Sequence, residues 1–322
     1  MMTSKQPRVH IGKVSWPLGG LLDLRAALLL ALGLTSCRDQ GLRTPAPPLQ
    51  RTYYNLSYAS VSPANKLDLY LPQQGTGPFP LVVWIHGGGW MSGDKAVKPT
   101  DTQMSLLSRN IALASIEYRF SPEAVFPAQI YDVKAALRWL RAHARPYRLD
   151  PHRFAVWGAS AGGHLAALAG TSAGVADLED LTMGNADYPS DVQVVVDWFG
   201  PTDLLRMNAQ WPSFCRPYDN DAPSSCPSLL VGAPLRTVPE RVKRANPLTY
   251  VSPRAPVILI AHGLADCQVP AAQSQILYAA LSAAGVRATL NLVQGAGHGD
   301  VTFYLSQAPV TIDFLDEHLH AQ

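Results

Sequence analysis

The sequence is poor in charge, poor in cysteine and without a long apolar run. Charged residues make up 16% of the chain and the formal net charge is +2. There is thus no basic surplus of the kind that marks a nucleic-acid-binding protein. Four cysteines, with no CxxC spacing, are too few for a disulfide scaffold and ill suited to zinc. No metal site and no organic cofactor is expected. The most apolar stretch near the N-terminus, Ala26–Leu34, has nine residues, whereas a bilayer-spanning helix needs ~20. What the chain does have is apolar bulk: 47% hydrophobic residues over 322 positions. That excludes disorder as the main state and leaves room for one large core or two small ones.

The first 36 residues read as an export signal. Lys5, Arg8, Lys13 and Arg25 precede the apolar run AALLLALGL, although Asp23 interrupts the basic region. The run ends in Leu34-Thr35-Ser36-Cys37, which looks like a bacterial lipobox. The expectation is therefore a lipoprotein with Cys37 as the lipidated residue, periplasmic or at the cell surface; the alternative is plain secretion. Residues 37–51, with Pro45, Pro47 and Pro48, read as a tether.

From residue 52 to 322 the pattern is strand, loop, helix, repeated. Strands are expected at 52–59, 66–71, 80–86, 111–118, 153–158, 192–199, 256–262 and 288–293. Inner strands such as LVVWIH and PVILIAH are continuous apolar runs, as in parallel strands buried on both faces. The first two strands, joined by Ser60 to Asn65, read as an antiparallel hairpin. Helical patterns lie at 100–109, 128–144, 160–172, 270–284 and 306–319. Alternating strands and helices imply a three-layer α/β sandwich on an eight-stranded, mostly parallel sheet. Residues 204–250, with seven prolines, break the rhythm and read as a cap-like insertion over the C-terminal edge of the sheet, where α/β ligands bind. Trp211 and Phe214 are expected to bury there.

Gly158-Ala159-Ser160-Ala161-Gly162 is GxSxG, after a strand and at the start of a helix, which is the setting of a nucleophile elbow. His86-Gly87-Gly88-Gly89 follows another buried strand. Its N–H groups suit an oxyanion, and no GK[ST] follows to make it a phosphate loop. The expected donors are Gly88, Gly89 and Ala161. Of nine histidines, His298 stands in a glycine-flanked loop after a strand and is the candidate base. His86 and His262 end buried strands and brace loops, while His164 lies one helical turn past Ser160 and points away. Asp266, in the loop after PVILIA, is preferred as the orienting acid over Asp203, which reads as a turn and helix cap. Ser160, Asp266 and His298 run in the order Ser…Asp…His, each after a different strand.

These motifs resemble the hormone-sensitive-lipase-like branch of the α/β-hydrolases, also called bacterial family IV esterases. The matching segments run from about Tyr54 to His318 and include His86-Gly-Gly-Gly-Trp90, Glu117-Tyr-Arg-Phe-Ser-Pro-Glu-Ala124, Phe126-Pro-Ala-Gln129, the elbow, His262-Gly-Leu-Ala-Asp266 and Gly297-His298-Gly299. The Trp after the glycines, GGHLAAL after the serine and Asn246-Pro-Leu-Thr-Tyr-Val251 make it most similar to the subgroup of bifunctional feruloyl and acetyl xylan esterases. The resemblance implies a serine carboxylesterase acting through an acyl-enzyme on short-chain or aromatic esters, small or carried on plant polysaccharide; the lipobox-like sequence adds contact with the membrane only through the N-terminal lipid. An amide hydrolase on the same fold is the alternative. The branch's helical N-terminal cap has no counterpart in the Pro-rich tether.

Trp90 is expected either to line the substrate pocket or to pack under the loop. Glu117 and Asp132 either position the Gly-rich loop or form surface ion pairs, and Asp300 reads as a helix cap. Cys215, Cys226 and Cys267 allow three pairings; a bridge from the insertion to Cys267 is favoured.

Overall fold

The computed structural model describes residues 51–321. The expected signal 1–36, Cys37 and all of the tether but Arg51 lie outside the described residues.

Eight strands form one sheet: β1 (Thr52–Ser57), β2 (Lys66–Tyr70), β3 (Phe79–Ile85), β4 (Ala112–Ile116), β5 (Leu149–Ala159), β6 (Val194–Trp198), β7 (Val257–Gly263) and β8 (Ala288–Val293). Their order is β1-β2-β4-β3-β5-β6-β7-β8. The pairs β1–β2 and β2–β4 are antiparallel and all others parallel. Among the described residues six α-helices accompany them: α1 (Ala128–Ala142), α2 (Ala161–Thr171), α3 (Cys226–Val231), α4 (Pro239–Ala245), α5 (Ala272–Ala283) and α6 (Val301–His320).

The central strands alternate between two cores. Leu81, Val83 and Ile85 of β3 join Ile130, Val133 and Leu137 of α1, Leu165 and Leu168 of α2, and Leu277 of α5. Val82 of the same strand joins Trp157, Val196 and Trp198 with Phe303, Ile312 and Leu315 of α6. A period-2 strand with apolar residues on both faces needs helices on both sides, which makes the three layers. This is the α/β-hydrolase sandwich that the sequence reading expected.

Several boundaries differ from expectation. The helical pattern at 100–109 is realised as a 3-10 helix over Thr102–Arg109. Helix α6 starts at Val301, not 306, because Asp300 caps it by accepting the Phe303 N–H at 2.9 Å. Its first turns hide in the sequence because Val301 and Leu305 are apolar yet 71% and 75% exposed, which blurs the helical period. Residues 204–250 form the expected insertion, built from short helices and turns. Phe214, expected to bury, is 66% exposed.

The strand ends determine the site. Ser160 follows β5, the glycine loop follows β3, Asp266 follows β7 and His298 follows β8. Because these four strands are parallel and near one another in the sheet, their C-terminal loops open on one edge.

Candidate active site

The turn after β5 is tight enough to dictate its own sequence. Ser160 has φ 57° and ψ −121°, a conformation that a non-glycine residue holds only where its surroundings enforce it. A Cβ on Gly158 would lie 2.0 Å from the Gly162 carbonyl oxygen, and one on Gly162 would lie 2.0 Å from the Ile85 carbonyl oxygen. The helix therefore starts directly against the end of β3. The Ser160 N–H donates to Trp198 O at 2.8 Å, which ties the turn to β6.

Ser160, His298 and Asp266 are brought together as the sequence led us to expect. His298 Nε2 is 2.9 Å from Ser160 Oγ, and His298 Nδ1 is 2.7 Å from Asp266 Oδ2. Asp266 is fully buried. Its Oδ1 accepts from the Gln268 and Val269 N–H groups at 2.7 and 2.9 Å, and His262 Nε2 lies 3.1 Å from Oδ2. Burial alone would raise its pKa, but the hydrogen bonds from His262 and His298 hold it well below the ordinary carboxylate range. The carboxylate is thus an anion throughout neutral pH. His262 does brace a loop, and that loop is the one carrying the acid; its Nδ1 meets Ser274 Oγ at 2.7 Å. The spacing His262-x-x-x-Asp266 was the legible trace of this contact.

The rival acid, Asp203, engages the Leu205 N–H and Arg206 instead. It closes a turn, as expected, but caps no helix. Asp300 does cap α6, and it also accepts from the Gly297 N–H at 2.7 Å. That second bond, which sequence reasoning missed, braces the His298 loop. Phe199, with its ring 4.6 Å from that of His298, was missed as well, because nothing local in GPTD marks its neighbour as a wall of the site.

The glycine loop lies beside the serine. A Cβ on Gly87 would stand 3.2 Å from Ser160 Cβ. Gly88 and Gly89 have φ 105° and 62°, and no described residue accepts from their N–H groups. Ala161 opens α2, so its N–H belongs to the first turn, where helix donors are free. Glu117 positions this loop at both ends: it meets His86 Nε2 at 3.1 Å and accepts from the Lys95 N–H at 3.0 Å. Asp132 stands one step further back and holds Arg119 at 2.8 Å. Trp90 is buried in the core and also lines the cleft.

The cleft above Ser160 has a volume of about 850 Å³. Trp84, Phe199, Met207, Trp211, Tyr218 and Tyr304 contribute much of its wall, with Asn220 and Gln268 as polar groups. The insertion supplies one side of it. Cys215 pairs with Cys267, so the insertion is tied to the residue next to Asp266, and Cys226 remains free. A hydroxyl, an imidazole and a buried carboxylate in line, beside unoccupied N–H groups, form an arrangement able to generate an alkoxide-like nucleophile and to stabilise a tetrahedral oxyanion.

The BD-FAE family profile matches residues 67–281 of the chain. Among solved structures, a truncated carbohydrate esterase from gut microbiota shares 34% identity and a TM-score of 0.77, over 85% of this chain and 98% of that one. The bifunctional GH43-CE protein of Bacteroides eggerthii shares 35% identity and a TM-score of 0.76, over 83% of this chain and 35% of that one. Esterase LipC of Mycobacterium tuberculosis is 30% identical over 74% of this chain and 57% of its own length. The chain thus spans little more than half of that relative.

Two predictions follow from the packing around the elbow and the acid. Removing the bridge, by Cys215→Ser with Cys267→Ser, should lower stability by about 2–4 kcal/mol; unchanged melting would exclude a role for the bridge in holding the insertion to the Asp266 loop. Asp197 is wedged where a Cβ on Gly163 or Gly200 would fall 2.4 or 2.5 Å from its Oδ1. Burial pushes its pKa up to about 6, against the Gly200 N–H and His262. The folded protein therefore holds this proton more tightly than the unfolded chain. Asp197 costs no stability while both states are protonated, and it weakens the fold as pH rises from the ordinary carboxylate range to about 6. Asp197→Asn should flatten the melting temperature between pH 4 and about 6.5 relative to wild type; an unaltered profile would rule out this assignment.

Proposed function

The chain belongs to the BD-FAE family, and on that premise we propose that it is a serine carboxylic ester hydrolase. The observation that carries the reading is the unbroken hydrogen-bond path from Ser160 Oγ through His298 to Asp266. In this reading His298 Nε2 takes the hydroxyl proton as Ser160 Oγ bonds to the ester carbonyl carbon. The carbonyl oxygen becomes an oxyanion held by the N–H groups of Gly88, Gly89 and Ala161. Collapse breaks the bond to the alcohol oxygen, which leaves with the proton from His298, and an acyl-enzyme remains. Water then repeats the sequence, releasing the acid and restoring the serine. Asp266 keeps the imidazole in the tautomer that can accept from Ser160 and stabilises the imidazolium between the two transfers.

The substrate proposed is a short-chain or aromatic ester, acetyl or feruloyl, carried on plant polysaccharide. Support comes from the carbohydrate-esterase relatives and from a wide cleft walled by Trp211, Tyr218 and Tyr304. Aromatic side chains of this kind suit flat rings, whether sugar or aryl. Export and lipidation at Cys37 belong to the same proposal and rest on the Leu34-Thr35-Ser36-Cys37 sequence.

Ser160→Ala should cost about 10⁴–10⁶-fold in kcat on p-nitrophenyl acetate; turnover near wild type would end the proposal. Acetate release from acetylated xylan, measured beside it, tests the substrate: activity on the small ester alone would remove xylan. In a bacterial host, metabolically supplied palmitate should label the full chain and not its Cys37→Ala variant; equal labelling of both, or of neither, would exclude an anchor at Cys37.

A further inference from the structure

Four residues past Ser160, the imidazole of His164 is completely buried and bonds away from the serine. Each ring nitrogen has one partner. The Trp90 indole Nε1–H lies 3.2 Å from Nδ1, and Nε2 lies 2.7 Å from the carbonyl oxygen of Ala245. An indole N–H only donates and a carbonyl only accepts. The imidazole between them is therefore neutral, with its proton on Nε2. Burial pushes its pKa down to about 4, so this form persists through neutral and mildly acidic pH. The two rings meet edge to face, with centroids 5.2 Å apart at 88°.

Trp90 needs such a partner. It is the third of three successive residues with positive φ, at 105° for Gly88, 62° for Gly89 and 58° for Trp90. Glycine tolerates that region freely, whereas a bulky side chain there is strained and remains only where its neighbours hold it. Two anchors do so. The Ser121 N–H donates to the Trp90 carbonyl at 2.8 Å, and His164 accepts from the indole. If the Trp90 backbone relaxed, the Gly89–Trp90 peptide would turn, and the glycine loop beside Ser160 would turn with it.

We propose that His164 is a positioning residue for the oxyanion loop. By accepting the Trp90 indole N–H, it locks the strained turn that presents the Gly88 and Gly89 N–H groups. By donating to Ala245, at the end of α4, it couples that turn to the insertion that lines the cleft. The inference rests on the ester-hydrolase reading and adds to it a residue that touches no substrate.

Three variants separate the two bonds. His164→Asn places an amide oxygen near the position of Nδ1 and keeps an acceptor for Trp90. His164→Leu removes both bonds, and Trp90→Phe removes the donor while leaving the Ala245 bond. On p-nitrophenyl acetate, the Leu and Phe variants should lose about ten- to hundredfold in kcat with KM within about twofold. A boronic acid, which mimics the tetrahedral intermediate, should bind them more weakly by a similar factor. His164→Asn should keep most of kcat, and the Leu–Phe double variant should be no slower than either single one. Wild-type kcat in either single variant, a loss confined to KM, or additivity in the double variant would overturn the role. If His164→Leu fails to fold, Trp90→Phe and His164→Asn decide the matter by the same criteria. A wild-type protein that hydrolyses no ester overturns the enzymatic reading and this inference together. Active wild type with indifferent variants overturns only the positioning role.

Discussion

The whole cleft depends on how closely the start of α2 approaches the end of β3. Space for a Cβ is missing at Gly158 and Gly162, where the nearest carbonyl oxygens would stand 2.0 Å away. That approach forces Ser160 into φ 57°, lifts its hydroxyl out of the turn and sets the glycine loop beside it. Any added volume at either glycine would push the helix from the sheet, and the hydroxyl and the loop would part. The strain is tolerable because the turn is enclosed: Ala159 and Ala161 are buried, and the Ser160 N–H is satisfied by β6.

Around that turn the protein spends buried polar groups on orientation. Asp266 has no exposure to water, yet two histidines and two backbone N–H groups converge on its two oxygens. A buried carboxylate without such donors would take up a proton and lose its hold on His298. Glu117 does comparable work for the glycine loop, and Asp300 for the His298 loop. Each is a carboxylate placed where a short segment would otherwise choose its own conformation. The Cys215–Cys267 bridge extends the same logic to the insertion, since one residue of the bridge adjoins the acid.

Much of this was legible in the residues. GxSxG between an apolar strand and a helical run is a local signal, because strand, turn and helix occupy consecutive positions and their geometry needs no distant partner. The same holds for the buried runs of β3, β6 and β7 and for His298 between glycines. Legibility failed where the local pattern was ambiguous or the partner lay far off. The early turns of α6 carry apolar residues on the solvent side, Val301 and Leu305, so the local pattern becomes helical only from residue 306. Phe214 is aromatic but exposed, since the insertion buries Trp211 only in part and turns Phe214 outward.

The sequence by itself determined the strand–helix alternation, the tight turn at Ser160, and the placing of Ser160, Asp266 and His298 in loops after three different strands, because those follow from short-range packing and backbone sterics. Only the tertiary structure decided that a histidine 138 residues beyond the serine stands 2.9 Å from it, that Cys267 pairs with Cys215 rather than Cys226, and that Trp90 rests on His164. These contacts join segments that meet only once β3, β5, β6, β7 and β8 take neighbouring places in the sheet. That order is settled by the packing of whole strands and helices against one another, and no short stretch of sequence contains it.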